Sequence, residues 1–296
     1  MIDKLEMFIA LAHTRHFGRA AEECGVTQPT LSAGIKQLEE QLGVMLVWRG
    51  TRYQGLTPEG QRVLDWARRI VADTRAMREE MRTARQGLSG VLRLAVIPTA
   101  LSTVTALTTP FRARHPDIRF RIFSRSSAEI LAMLEDLEAD AGVTYLDSEP
   151  LGRVRAAPLY RERYMALAPA GGALAGRESL GWAELSALPL ALLTPDMQNR
   201  RLVSQHMAEA GAEADPVLEA NSVITLVTHV TEGGLATVLP SRLAELFGRM
   251  GGLDAVPLVA PEAEHLIGLV APERDPATPA VAALMREAQR LAEAEV

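Results

Sequence analysis

Between Val63 and Leu88 the side chains obey a spacing that few folds allow. Val63, Ala67, Ile70, Thr74, Met77, Met81, Ala84 and Leu88 step by 4, 3, 4, 3, 4, 3 and 4 residues. The mean step of 3.5 is the seam of supercoiled helices, so one long helix is expected over 58–88. Such a seam packs either on a second copy of the chain or on the chain's own domain; its regularity favours dimerisation. Gly87 and Gly90 then mark a hinge.

Upstream, the stretch LEMFIALAHT places Leu5, Phe8, Ile9 and Ala12 on one helical face. GRAAEEC follows as a second helix, and Gly25 supplies the left-handed residue that turns the chain. Thr27 is an N-cap and Pro29 sits in the first turn of a third helix, whose apolar face is Leu31, Ile35, Leu38 and Leu42. The opposite face carries Gln28, Pro29, Thr30, Ser32 and Lys36, mostly amides and hydroxyls in place of the usual Glu and Lys. Two helices, a glycine turn and a third helix form a helix-turn-helix. GVMLVWRGTRYQGLTPEG, apolar and then basic, reads as a two-stranded wing.

The net charge of −6 hides an asymmetry. Residues 1–90 hold 13 Lys+Arg and 11 Asp+Glu, whereas the other 206 residues hold 18 and 26. DNA binding here must therefore rest on placed contacts and not on a broad basic field. The single cysteine, Cys24, excludes an intramolecular disulfide and argues against a cysteine-based zinc site. No signal peptide and no long apolar span is present, which predicts a cytoplasmic protein without a membrane partner. The six histidines lie singly, and HExxH, GxSxG and GKS/GKT motifs do not occur, so an enzyme is not expected.

Beyond the hinge, strand and helix alternate. Strands are expected at 91–98, 119–125, 141–147, 189–195, 217–221 and 234–240. Helices are expected up to His115, through Leu137, near 197–210 and near 222–232. The alternation implies parallel sheets covered by helices.

The segment HFGRAAEECGVTQPTLSAGIKQLEEQLGVMLVWRGTRYQGLTPEG resembles the DNA-binding segment of LysR-type transcriptional regulators. Phe17, Ala20, Ala21, Gln28, Pro29, Leu31, Ser32, Ile35, Leu38, Glu39, Leu42, Gly43, Arg49, Leu56, Thr57 and Gly60 carry the likeness, which extends more weakly over the rest of the chain. The resemblance implies a winged helix-turn-helix at 1–60, a linker and dimerisation helix at 58–88, and an effector-binding domain at 91–296. That domain would consist of two α/β lobes similar to periplasmic binding proteins, lobe I at about 91–162 and 268–296 and lobe II at about 163–267. It further implies Gln28, Pro29, Thr30 and Ser32 near bases, Lys36 at a base or phosphate, and Arg49 and Arg52 at phosphates or the minor groove. The implied partners are promoter DNA with an interrupted dyad, further copies of the chain as a dimer or dimer of dimers, and RNA polymerase. No cofactor or metal is implied.

Three positions depart from the family pattern. His16 replaces a serine before the second helix. Val47 replaces a phenylalanine, leaving Trp48 either to fill its volume or to lie exposed. Cys24 replaces a leucine and reads as a small core residue. The helix-turn-helix is also close to the peroxide-sensing branch of the family, which uses cysteines of the effector domain. That domain has none here, so peroxide sensing is rejected.

Four strand-to-helix junctions present small polar residues suited to a small molecule between the lobes. They contribute Thr99, Ala100 and Ser102; Ser126 and Ser127; Thr194 and Pro195; and Asn221. Tyr145 and Arg200 are added contacts. These N–H-rich helix starts, with an adjacent arginine, predict a small anion such as a carboxylate. Each junction could equally be an ordinary N-cap.

Overall fold

The computed structural model describes residues 1–48 and 53–295. The chain divides into two compact units, residues 1–88 with 135–138 and 274–279, and residues 89–134, 139–273 and 280–296.

In the first unit α1 (Ile2–Thr14), α2 (Phe17–Glu23) and α3 (Gln28–Leu42) precede the long α4 (Pro58–Gln86). Phe8, Leu11, Ala20, Leu31, Leu38, Leu46 and Ala67 are fully buried at their centre. Gly25, at φ 65°, makes the turn between α2 and α3. Thr27 caps α3 by accepting from Thr30 N–H, with Pro29 in the first turn as expected. His16 caps α2: its Nδ1 accepts from Gly18 N–H at 3.1 Å and Arg19 N–H at 3.3 Å. It thus does what the family's serine would do at a helix start. Leu42, expected on the buried face, is 41% exposed because it lies at the last position of α3, where Gly43 turns the chain away.

The wing begins at an antiparallel bridge between Val47 and Leu56. Val47 is buried and Trp48 half-exposed, so the tryptophan does not fill the missing phenylalanine volume. Glu39 Oε1 accepts from Leu46 N–H at 2.7 Å and Val47 N–H at 3.2 Å, tying the wing to α3. Thr57 caps α4, and an added Cβ on Gly60 would lie 2.0 Å from the Leu46 carbonyl oxygen. Only glycine permits that approach.

The second unit begins with β1 (Gly90–Val96), α5 (Thr105–Arg114), β2 (Ile118–Ser124), α6 (Ser127–Glu135) and β3 (Ala141–Tyr145), where β1 pairs parallel with both β2 and β3. The long β4 (Val154–Pro169) then runs through both lobes. Beyond it lie β5 (Leu180–Gly181), β6 (Leu190–Leu193), α7 (Gln198–Glu209), β7 (Pro216–Ala220), α8 (Val223–Gly233), β8 (Thr237–Pro240), α9 (Ser241–Arg249), β9 (Leu253–Val259), β10 (Glu264–Pro272) and α10 (Pro279–Glu295). The sheets are not wholly parallel. β10 runs antiparallel to β3 and β4, and β8 and β9 antiparallel to β4. The reason is connectivity: β4 and β10 carry the chain out of one lobe and back, so they lie side by side in opposite directions. The helical stretch expected directly after β1 opens instead with a 3-10 turn, Pro98–Ala100, and α5 starts only at Thr105.

β4 places the buried polar residue of the lobe junction. Its period of two turns Arg161 and Arg163 outward and Tyr160, Glu162 and Tyr164 inward. Both arginines clasp Glu264 of β10, each at 2.9 Å, and fix the register of the crossing strands.

Candidate DNA-reading face and inter-lobe cleft

On α3 the burial splits as the sequence pattern requires. Leu31, Ile35 and Leu38 are buried, while Gln28, Pro29, Thr30, Ser32, Ala33, Lys36 and Gln37 are exposed. Thr30 Oγ1 lies 2.9 Å from Thr27 Oγ1, so this hydroxyl is shared with the cap. Lys36 is held loosely by Glu40, at 3.8 Å on the exposed face, a contact worth little against a phosphate. Gln28 and Ser32 stand one helical turn apart, a spacing that presents an amide and a hydroxyl to one groove. Arg49 and Arg52 lie outside the described residues.

The seam on α4 divides. Ala67 is fully buried and Val63 packs against the winged-helix core, whereas Ile70, Met77 and Met81 are 38%, 58% and 56% exposed. Ala84 is also exposed, and Thr74 is half-buried with its hydroxyl bonded to the Ile70 carbonyl. Leu88 falls beyond the helix, which stops at Gln86 with Gly87 at φ 75°. The first two seam positions therefore serve the chain's own core, as Leu64, Val71, Ala72 and Ala76 also do, and the later ones leave an apolar strip open. Cys24 is half-buried against the same core, where burial and the neighbouring Glu23 and Glu6 push its thiol up from the ordinary value.

Between the lobes lie two adjoining chambers that share Pro98 and Met197 as lining. The inner one has a volume of about 10 Å³ and is walled by Thr99, Ser126, Ser127, Tyr145, Gln198 and Asn199 among others. It is the size of one water or one ligand oxygen. Thr99 is 1% exposed, and its Oγ1 has no hydrogen-bond partner. Ser126 bonds to Glu129, and Ser127 receives a bond from Thr144, so those hydroxyls are already engaged. Ser102 and Thr194 also carry buried hydroxyl oxygens without partners, but neither residue lines either chamber. The outer chamber, about 490 Å³, is lined by Leu101, Ser124, Arg125 and Glu129 from one lobe and Asp196, Asn221, Ser222, Val223 and Ile224 from the other. The α8 N-terminus, capped by Ser222, opens there.

The chambers unite Thr99, Ser126, Ser127, Tyr145 and Asn221. Ala100 is buried directly behind Thr99 in the 3-10 turn and lines neither chamber. Arg200 is a correction: its guanidinium bonds Ser204 and the Ala214 carbonyl and pairs with Glu219 at 3.5 Å, because the start of α7 turns it toward β7. Pro195 is exposed and lines neither chamber. The arginine that does line the cleft is Arg125, and sequence reasoning passed over it in favour of the serines beside it. Gln198, Asn199 and Met197 were also missed: they follow Pro195-Asp196 in what reads as an ordinary helix start.

Behind the inner chamber, Tyr145 Oη lies 2.6 Å from Glu162 Oε1, and Asn199 Nδ2 donates to Tyr145 Oη at 3.5 Å. Burial pushes the Glu162 carboxyl up to about 8. The same burial, with Glu162 beside it, raises both Tyr145 and Tyr164 well above the ordinary phenol value.

A winged helix-turn-helix whose third helix bares amides and hydroxyls, followed by a two-lobed α/β domain with a cleft, defines a DNA-binding transcriptional regulator with an effector-binding domain. Residues 2–61 match the family described as "Bacterial regulatory helix-turn-helix protein, lysR family", and residues 85–293 match "LysR substrate binding domain". The chain belongs to the LysR family. It is 30% identical over 270 residues to the DNA-binding transcriptional dual regulator OxyR of Escherichia coli K12, covering 91% of this chain and 88% of that one. It is 32% identical over 269 residues to a probable hydrogen peroxide-inducible genes activator of Mycobacterium avium, covering 90% and 86%. Among solved structures, a full-length OxyR variant of Pseudomonas aeruginosa superposes with a TM-score of 0.74 at 25% identity over 98% of this chain and 97% of that one. Full-length CbnR in complex with its target DNA shares the fold, with a TM-score of 0.60 at 20% identity over 99% of each chain. These relatives are regulators, and so is this chain; it is not an enzyme. No helix among the described residues is long and apolar enough to cross a membrane.

Proposed function

We propose that this regulator reads operator DNA with Gln28, Pro29, Thr30, Ser32 and Lys36, joined by Arg49 and Arg52 of the wing, and that a small carboxylate held between the lobes controls it. Ile70, Met77, Met81 and Ala84 of α4 form the interface between copies, as a dimer or dimer of dimers. Its place of action is the cytoplasm, on promoter DNA with an interrupted dyad, where RNA polymerase is the further partner.

The observation that carries the ligand reading is the unpartnered, buried Thr99 hydroxyl on the inner chamber. A buried hydroxyl without a partner costs free energy, and a ligand oxygen would satisfy it. The outer chamber supplies the attraction for negative charge, through Arg125 and the open N-terminus of α8, against which Glu129 and Asp196 act. A ligand with one oxygen in the inner chamber and its body in the outer one fits both volumes. Lobe closure on that ligand would alter the disposition of paired DNA-binding domains.

Several relatives are named as peroxide-inducible activators. The sole thiol of this chain is Cys24 in the helix-turn-helix, and its raised pKa lowers its thiolate fraction. Ligand occupancy, and not thiol oxidation in the effector domain, is therefore the controlling event. Genome-wide mapping of bound DNA tests the reading. The expected sites are few, contain an interrupted dyad, and lie beside genes whose metabolites include a small carboxylate that shifts the footprint. Sequence-independent coverage, or footprints that no carboxylate changes, would contradict it.

A further inference from the structure

A short piece of the effector-domain sequence packs with the DNA-binding unit. Glu135, Asp136, Leu137 and Glu138 close α6 and lead toward β3, yet they cluster with residues 1–88. Leu137 is the centre of this segment. It is 5% exposed and belongs to the same buried cluster as Leu5, Phe8, Val71 and Ala72. Its backbone stands at φ 62°, in the left-handed region that leucine avoids and glycine adopts freely. A residue needed only to end α6 would be glycine by that criterion. A leucine persists in this conformation where its surroundings fix it, and here they do. The side chain is enclosed, and the Leu137 carbonyl accepts from Arg75 at 3.2 Å.

The acidic residues around it are gripped as well. Arg68 bonds Glu135 at 2.9 Å and also bonds Asp136. His13 Nδ1 lies 2.6 Å from Glu138. The other carboxylates beside these bases are farther: Asp65 is 3.9 Å from Arg68, Glu6 is 3.4 Å from Arg75 and Glu23 is 3.9 Å from His13. Arg68 and Arg75, two helical turns apart, share one face of α4, and Met77 of the open strip lies half a turn round from Arg68. The segment therefore seats on the side of α4 away from that strip. It is also tied to the cleft by the chain itself. α6 opens at Ser127, which walls the inner chamber, and closes at Glu135, about 12 Å further along its axis.

We infer that residues 135–138 form a plug, seated by Leu137, that holds α1 against α4 and through α6 carries occupancy of the cleft to the DNA-binding unit. The transmission rests on the cleft being the effector site; the plug does not.

Hydrogen–deuterium exchange on the full-length protein tests the plug. Leu137→Gly relieves the backbone but empties the core, so a plain helix stop and a plug predict opposite results. For a plug, α1 and residues 64–76 of α4 should exchange roughly tenfold faster, while β1 and β3 keep wild-type rates and sedimentation shows the wild-type assembly. Glu135→Gln combined with Asp136→Asn leaves the core intact and should act in the same direction by a smaller factor. Wild-type exchange of α1 and α4 in Leu137→Gly, a raised thermal midpoint, or acceleration that extends equally to β1 and β3 in both variants would overturn the plug. Formate, acetate and succinate at pH 7 test the transmission. A carboxylate that binds by calorimetry should alter the exchange of α1 and α4 in wild type and leave it unaltered in Leu137→Gly, which still binds it. The same change in both proteins, or none in wild type, would overturn the transmission. Binding by none of the three would overturn the effector reading and the transmission with it, and the plug would stand or fall on exchange without ligand.

Discussion

His206 Nε2 lies 2.9 Å from His265 Nε2, with Glu209 3.1 Å from the other nitrogen of His206 and Asp147 3.5 Å from the other nitrogen of His265. The contact joins α7 to β10 and is a hydrogen bond only while one of the two facing nitrogens carries a proton and the other does not. Burial lowers the His265 pKa, opposed by Asp147. A base with a depressed folded pKa binds fewer protons folded than unfolded, so stability is full above the unfolded value of about 6.5 and is lost as pH falls below it. Thermal melts between pH 8 and 5 should show the midpoint falling on the acid side, and His265→Gln should flatten that fall. An identical acid slope in the variant would assign the loss to other groups.

For the DNA face, Gln28→Ala and Ser32→Ala are expected to cost about 1–3 kcal/mol each on the operator while leaving scrambled DNA nearly unaffected. Lys36→Ala should weaken both sequences and reduce the salt dependence of binding. Affinities on both DNAs at two salt concentrations separate the roles. Equal losses on operator and scrambled DNA for Gln28→Ala would refute base reading.

The divided seam gives opposite expectations for its two ends. Met77→Glu places a charge in the open strip and should lower the assembly state in sedimentation without lowering the melting temperature of the winged-helix unit. Ala67→Leu overfills the buried core and should destabilise that unit by about 1–3 kcal/mol. Unchanged assembly in Met77→Glu would mean that copies meet elsewhere.

Gly60→Ala would force a methyl group onto the Leu46 carbonyl, where the space is 2.0 Å. A loss of about 1–3 kcal/mol is expected, read as a lower thermal midpoint of the winged-helix unit. A neutral substitution would show that α4 and the wing base can separate at no cost.

Much of this architecture was legible because local rules and burial agree. The Thr27-Gln28-Pro29 cap, the turn at Gly25 and strands β1, β2, β3, β6, β7 and β8 follow from residue type and period, whereas β4, β5, β9 and β10 lie outside the expected strands. What failed was decided by tertiary geometry. The spacing of Val63 and Ala67 is that of a seam, yet the winged-helix core claims them. RERY in β4 carries three charged residues and falls in no expected element, and it is strand parity that buries Glu162 between outward arginines. Arg200 and Arg125 lie equally close to polar junctions in sequence. Which one faces the cleft depends on the rotation of α7 against the end of β2, and no local pattern encodes that.

The measurement closest to the central claim is calorimetric titration of the full chain at pH 7 with small carboxylates, their amides and their amine analogues, repeated on Thr99→Val and Arg125→Ala. Carboxylates alone should bind in wild type. Each substitution should cost about 1–3 kcal/mol, Thr99→Val by removing the inner hydroxyl and Arg125→Ala by removing the cleft cation. Binding restricted to neutral or cationic compounds, or carboxylate affinity unchanged in both variants, would contradict a carboxylate effector between the lobes.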